Sequence, residues 1–499
     1  MRSTPLSPIV ANHYLIAYRG GVIPGDVEAR TRLAGARVLA RHEMLGVATV
    51  QANGTADDAT NIQRLAAQPD VELVVHDRMV YAHRVQTRIV KLHNPIARPI
   101  TATTVQIAKL PAAEWDSFYS ATPQGWAVQQ VGGYGNNVPG GPARGPWDIT
   151  MGKGARIAIL DSGVDETHPD IAPNLVLNLS EVDQSAQTGL PSACDDGTPQ
   201  DQQGHGTWVA SLAAGAQGPG TGLVIGVAPA ASILNIKVLE RLPNTSVAGA
   251  TAVQQCASGE AGGLLSWVIQ GISDAVAQHA DVVSMSLGSM VDLSTGDGAG
   301  LKALFDRATY AAAQAGVVLV AAAGNDGFDF SNPRYVELPA QARSVLAMVA
   351  TTNPACAENL AAEATCAAGA VTLPYYSNYG APLDALAAPG GDVPAGSDDA
   401  VSGWVRGACS GGKPSTIDGL PTDATHSFGC FNLGHTQYVQ AMGTSASAPL
   451  AAGVAALLRA AHPAWDAATI VAAMRSSATT IGTVPFPLVN AVTALNVAN

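Results

Sequence analysis

The stretch Ala155–Asp170, ARIAILDSGVDETHPD, opens as a near-continuous apolar run and breaks at Asp161-Ser162-Gly163. A run of strand length without polar alternation fits a strand buried on both faces, as in a parallel sheet covered by helices. Four further runs have the same character: SILNIKVL (232–239), DVVSMSLG (281–288), GVVLVAAAGN (316–325) and SVLAMVAT (344–351). The intervals between them carry helical periodicity, for example over 266–279 and 301–315. This alternation predicts a doubly wound, three-layer α/β domain around a mostly parallel sheet. Ligands of such sheets collect outside the carboxyl ends of the strands, so the residues that end the runs are the ones to inspect.

At 499 residues the chain exceeds what one hydrophobic core usually serves, which predicts two or more domains. Hydrophobic residues make up 47% and aromatics 5%, with 52 glycines, a mixture that describes a tightly packed α/β globule rather than a disordered or fibrous chain. A formal charge of −13, with no dense Lys/Arg cluster to reverse it locally, excludes nucleic acid and anionic lipid as expected partners. The longest apolar run, 446–458, is shorter than the roughly 18 to 20 residues that span a bilayer.

The opening MRSTPLSPIVANHYL lacks the basic start, apolar centre and cleavage site of a secretory signal, so the protein is expected either to stay inside or to have lost its leader. The cysteines favour the second reading. Cys194, Cys256, Cys356, Cys366, Cys409 and Cys430 lie in Gly/Ser/Ala/Asp-rich stretches, where surface disulfides belong, which predicts a secreted or periplasmic protein. Several connectivities are open. Short separations favour Cys356–Cys366 and Cys409–Cys430, leaving Cys194 with Cys256; metal binding is the weaker alternative without C-x-x-C or H-x-x-x-H spacing. The segment 391–438, rich in Gly, Ser and Asp, reads as a disulfide-stapled surface loop.

Upstream of the alternating region the pattern differs. Strands at 14–18, 47–51, 71–75 and 79–83 and helices at 27–45 and 57–67 predict a small α+β unit, followed from 85 to 125 by a connector without strong period.

Four residues at the ends of apolar runs or beside them can carry chemistry. Asp161 ends a strand, where an acid more often merely caps a turn. His205 lies between two glycines in GHGTWVASLAAG, at the start of an apolar run; a lone histidine is more often structural, yet a helix N-terminus helps keep the imidazole neutral. Asn325 after Gly324 is a common turn device, and its amide also suits a developing oxyanion. Ser445 sits in AMGTSASAPLAAGVAALLRAAHP (441–463), among small residues that leave room for a carbonyl, at the head of a stretch apolar enough to be a helix buried all round. Pro449 is expected in the first turn of that helix. Together they supply an orienting carboxylate, a general base, a nucleophile and an oxyanion donor, because a serine hydroxyl attacks only when a neighbouring imidazole takes its proton.

At these residues the sequence resembles the subtilisin-like serine proteases, or subtilases. DSGVDETHPD, GHGTWVAS, SMSLG, AAAGND, YSNYGAPLDALAAPG and GTSASAP occur in the family's order, over roughly Trp126 to the C-terminus. Chymotrypsin-like enzymes and α/β-hydrolases order their triads differently. The resemblance implies a seven-stranded parallel sheet and a self-processing serine endopeptidase in which Asp161, His205 and Ser445 are the triad and Asn325 the oxyanion donor. Substrates would pair as a strand with the edge carrying Ser286, Leu287 and Gly288, near Ala323 and Gly324.

The same resemblance divides the chain into an inhibitor-type, ferredoxin-like propeptide (1–110), a connector with the maturation site (111–125) and a catalytic domain (126–499). It implies polypeptide substrates, the propeptide as intramolecular inhibitor, a monomer, and no cofactor for catalysis. A structural calcium with Asp170 as one ligand is allowed, although AAGAQGPGTGLVIGV (213–227) lacks a carboxylate-rich ligand loop. Glu337, before Leu338-Pro339, would fall at the base of the pocket for the residue preceding the cut, with Asp326 nearby; the two acids would favour Arg or Lys there, unless solvent simply surrounds them. Trp208, Ser211 and Leu450 stand where the family commonly has His or Ser, Gly, and His. Two other readings stay open: an acid-acting sedolisin-like protease, which His205 and Asn325 argue against, and a non-catalytic binding module on the same fold. The expectation is activity that rises as His205 loses its proton around neutral pH, and not an optimum near pH 4.

Overall fold

The computed structural model describes residues 6–496 apart from 55, 84–85, 90–124, 137–143, 183–193, 219–220, 247, 355–368, 393–402, 412–429, 432 and 434–435. Its first strands are β1 (Ile9–Tyr18), β2 (Ala36–His42), β3 (Val47–Ala52), β4 (Val71–Ala82) and β5 (Gln86–Ile89). The first four form an antiparallel sheet in the order β4-β1-β3-β2. Strand alternation gives β1 two uses. Tyr14, Ile16 and Tyr18 pack against Val27 and Leu65 from the helices Val27–Leu33 and Asp58–Ala66, whereas Leu15 and Ala17 face a core shared with the larger domain.

Two expectations for this unit are corrected. The helix foreseen over 27–45 ends at Leu33, because Gly35 adopts φ +84° and Ala36–His42 then pairs with β3 as a strand. The strands foreseen at 71–75 and 79–83 are one strand, β4. The polar residues between them, His76, Asp77 and Arg78, interrupt the apolar pattern because they meet helix ends of the larger domain. Asp77 accepts from Ser266 N at 3.2 Å and Ser266 Oγ at 2.6 Å at the head of the helix Leu265–Ala277. Asp297, in the first turn of the helix Gly296–Gln314, accepts from His76 N at 2.8 Å and from Arg78 at 2.9 Å. Anions at helix N-termini satisfy free backbone N–H groups and meet the positive end of the dipole.

The larger domain contributes β6 (Arg156–Asp161), β7 (Leu175–Ser180), β8 (Ser232–Lys237), β9 (Glu240–Leu242), β10 (Glu260–Leu264), β11 (Val282–Met285), β12 (Leu287–Asp292), β13 (Val318–Ala322), β14 (Tyr335–Leu338), β15 (Val345–Thr351), β16 (Ala385–Pro389), β17 (Val405–Ala408) and β18 (Tyr438–Met442). Seven of them form a parallel sheet in the order β16-β15-β13-β11-β6-β8-β7, as the uninterrupted apolar runs predict. Ile157 and Ile159 of β6 point to the layer holding the helices His205–Ala214 and Thr444–Ala461; Ala158 and Leu160 point to the layer of Leu265–Ala277 and Gly296–Gln314. The three-layer architecture is thus present, and Asp161 lies at the carboxyl end of β6, an interior strand beside the central β11.

Disulfides join Cys194 to Cys256 and Cys409 to Cys430. The expected Cys356–Cys366 pair lies outside the described residues, as do the connector between 111 and 124 and most of the 391–438 insert.

Candidate active site

The helix Thr444–Ala461 is buried from Thr444 through Leu458, so the apolar stretch is a helix with no solvent face. Pro449 is its sixth residue rather than part of the first turn. A proline there removes the backbone donor that would bond the carbonyl of Ser445 four residues back. Ser286 Oγ replaces it, donating to Ser445 O at 2.9 Å. The small residues and the proline therefore tie the serine to the strand edge on which Ser286 lies. Ser445 Oγ points the same way, donating to Ser286 O at 3.5 Å.

His205 begins its own helix, and its Nδ1 is 2.7 Å from Asp161 Oδ1 with both residues buried. Ser162 N also donates to that oxygen, at 2.8 Å. With Nδ1 committed to the carboxylate, Nε2 is the nitrogen left to accept a proton. Nε2 is buried and has no hydrogen-bond partner among the described residues. The ring is held from its edges by Trp208 and Phe431, at centroid distances of 5.9 and 6.2 Å. Trp208, where the family commonly has a smaller residue, thus packs against the imidazole and leaves its nitrogens alone.

Asp201 was not foreseen, although DQQGHGT carries the signal of an acid just ahead of a helix. Its carboxylate accepts from Gly204 N at 2.7 Å, Thr207 N at 2.9 Å, Thr207 Oγ1 at 2.6 Å and Ser162 Oγ at 3.0 Å. Burial pushes its carboxyl above the usual range against the pull of those donors. It locks the helix head that carries His205 to the turn after Asp161. Gly206 is required at that junction, since a Cβ there would stand 2.0 Å from Gly163 O.

Asn325 follows β13, and its Oδ1 accepts from Thr444 N at 2.8 Å and Thr444 Oγ1 at 2.7 Å. Two donors on the oxygen turn the amide nitrogen away from Thr444. Thr444 Oγ1 also receives Gly324 N at 3.2 Å, and Asn378 Nδ2 donates to Ala323 O at 2.9 Å. The turn Ala323–Asn325 is thereby fixed beside the helix head of Ser445.

Glu337 in β14 is 3% exposed, which excludes the solvated alternative for it, whereas Asp326 is exposed. Burial, and secondarily the Asp326 charge, hold the Glu337 carboxyl well above its ordinary range. A Cβ at Gly288 would lie 1.9 Å from Glu337 Oε1 and 2.3 Å from His83 Cε1, so the missing side chain makes the space that His83 occupies. His83 Nε2 is 3.9 Å from Glu337 Oε1, beyond hydrogen-bond reach. Burial, and then the nearby His205, push His83 down to about 4. Both groups are therefore neutral where they meet. A cavity of about 420 Å³ opens beside them, lined by Tyr81, His83, Glu260, Gly288, Asn325 and Glu337 among others.

Asp170 is fully buried and accepts from Gly222 N at 2.7 Å and Leu223 N at 3.3 Å. Its oxygens hold a backbone turn, and no group of three or more His, Cys, Asp or Glu among the described residues could hold a metal ion. No helix among those residues is long and apolar enough to cross a membrane.

Residues 152–492 match the model of the subtilase family, Peptidase S8. The chain belongs to that family. It is 39% identical to thermitase of Thermoactinomyces vulgaris over 181 residues, 36% of this chain and 51% of that protein. It is 30% identical to subtilisin NAT of Bacillus subtilis subsp. natto over 331 residues, 66% of this chain and 62% of that one. The chain thus spans between half and two thirds of the length of these relatives. Among solved structures, fervidolysin from Fervidobacterium pennivorans, described as a keratinolytic enzyme related to subtilisin, superimposes with TM-score 0.62 at 19% identity, covering 100% of this chain and 62% of its own. The epidermin leader peptide processing protease of Staphylococcus aureus covers 98% of both chains with TM-score 0.58 at 18% identity. These two likenesses support the subtilisin-like fold.

Proposed function

We propose that the protein is a serine endopeptidase made as a self-processing zymogen. Ser445 is the nucleophile, His205 the base, Asp161 the group that holds the imidazole's tautomer and stabilises its cation, and Asn325 the side-chain oxyanion donor. The observation that carries this reading is the buried 2.7 Å contact between His205 Nδ1 and Asp161, which leaves Nε2 as the only nitrogen for the hydroxyl proton. Attack by Ser445 Oγ on a carbonyl passes its proton to Nε2, the leaving amine takes that proton, and water repeats the cycle on the acyl-enzyme. A serine-directed phosphonylating reagent tests this: wild type is labelled at Ser445, and absence of label in a folded, self-processed sample would refute it.

The substrate pairs as a strand with Ser286, Leu287 and Gly288. In support, the chain's own β4 pairs antiparallel there, Ala82 with Leu287 and Tyr81 with Gly288, and His83 N donates to Ser286 O at 3.4 Å. Residues 1–110 act as the inhibitory propeptide. The first bond cut is the one after His83, and trimming within 111–125 then frees a catalytic domain that starts near Trp126. Ala323 and Gly324 flank the pocket of the residue before the cut, and Glu337 at its base selects Lys or Arg, whose longer side chains reach the carboxyl that His83 does not. Glu337→Gln lowers the preference for Lys and Arg at least tenfold; an unaltered cleavage profile would remove Glu337 from that role. The two disulfides support a secreted or periplasmic protein; in this reading it acts on polypeptides as a monomer, without a catalytic cofactor.

A further inference from the structure

β4 does not stop at the edge of the candidate site. Its end runs between two strands, pairing with β10 through Met79–Leu264, Val80–Gly263 and Tyr81–Gly262, and with β12 as described. A few residues beyond His83 the chain is again a strand. β5 pairs antiparallel with β18 in the register Gln86–Met442, Thr87–Ala441, Arg88–Gln440 and Ile89–Val439. β18 leads through Gly443 directly into the helix that carries Ser445. The run from Met79 to Ile89 is therefore held by strand pairing on both sides of Ser445.

We infer that the edge of β18 to which β5 is paired is a second strand-binding surface, which takes the third to sixth residues after the scissile bond of an extended polypeptide. The inference rests on the peptidase reading, with the bond after His83 as the one presented to Ser445. Counted from that bond, Gln86, Thr87, Arg88 and Ile89 are the third to sixth residues. β18 is bonded on its other side to β17, and all five of its residues are buried. Without β5 it is an edge strand whose remaining N–H and C=O groups seek a partner, and an added strand is the usual solution. Backbone pairing asks for extension and length rather than particular side chains. The favoured substrates are accordingly extended polypeptide segments that continue for at least six residues beyond the scissile bond.

Three fluorogenic peptides test this on the self-processed protein. One carries the sequence Met79–Val85, a second continues to Ile89, and the third has Pro at the Thr87 and Arg88 positions of the longer one. Successive residues of a strand turn their amides to opposite sides, so adjacent prolines remove a ladder donor whatever the phase. The longer peptide is expected to have kcat/KM at least tenfold above both others; equal values for all three would overturn the inference while leaving the peptidase reading intact. If no peptide is hydrolysed, the peptidase reading fails and pairing is read by hydrogen exchange on the full-length Ser445→Ala chain. Amides of 439–441 are then expected to exchange at least tenfold faster in a Thr87→Pro/Arg88→Pro variant, and unchanged protection would overturn the inference.

Discussion

The layers around the parallel sheet and the docked N-terminal unit share an apolar core through Leu15 and Ala17, and the docking adds titratable groups at helix ends. Around the sheet, the helix Thr444–Ala461 buries aliphatic side chains on every side from Ala446 to Leu458, with polar side chains at its head and Arg459 in its last turn. Where the N-terminal unit meets this domain, helix ends receive Asp77, His76 and Arg78, and Arg307 pairs with Glu72 at 2.9 Å. Apolar burial scales with area and does not depend on pH, whereas capping carboxylates and imidazoles titrate. The difference suits the proposed roles, an N-terminal unit that leaves and a scaffold that stays.

The sharpest separation comes from Asn325→Ala. It removes the proposed oxyanion donor and none of the groups named at the docked helix ends, so kcat is expected to fall about 10² to 10³-fold with KM little changed, a magnitude whose reference case is a subtilisin. Steady-state kinetics on the self-processed variant measure it. Leu457→Ala empties part of the fully buried layer. It should lower the stability of the processed enzyme by about 2 to 5 kcal/mol, visible in denaturant melts at any pH where the enzyme is folded. Asp77→Ala strips the cap from Ser266 and should weaken docking of the cleaved N-terminal unit by roughly 1 to 3 kcal/mol, read as a rise in its inhibition constant, with the stability of the processed enzyme unmoved. If both variants affected the same quantity equally, the contrast between the regions would be lost.

The smallest effect is the pH dependence of docking. Burial raises Asp77 to about 6, so its contribution is full below the ordinary carboxyl range and is lost as pH rises through about 6. Burial lowers His83 to about 4, so its contribution is present above the ordinary histidine range and is lost as pH falls towards 4. These two oppose each other over the same acidic window. His76, raised chiefly by Asp297 and then by Asp58, is left to act on the alkaline side, together with Glu337, which burial raises well above its ordinary range. Inhibition by the cleaved unit should therefore weaken from pH 6 to pH 8, and His76→Gln should flatten that slope.

The sheet was legible because its strands are apolar without interruption, and the candidate site because each of its groups ends such a run or heads a helix. Asp161, His205 and Asn325 needed no knowledge of partners to be singled out. What was not legible depended on partners elsewhere in the chain. His76-Asp77-Arg78 reads as a break between strands until the two helix ends are known. Gly35 looks like one weak residue inside a periodic stretch until β3 offers Ala36–His42 a ladder. Pro449 breaks a rule of helices that Ser286, far away in sequence, restores. Asp170 reads as a metal ligand until the amides of Gly222 and Leu223 are seen on its oxygens.

The most direct measurement is the intact mass of the purified full-length chain beside its Ser445→Ala variant. The account predicts that wild type divides, with one product ending at His83, and that the variant stays whole at 499 residues. Cleavage of the variant at the same bond and rate, or a wild type that stays whole with the phosphonylating reagent unreacted, would contradict it.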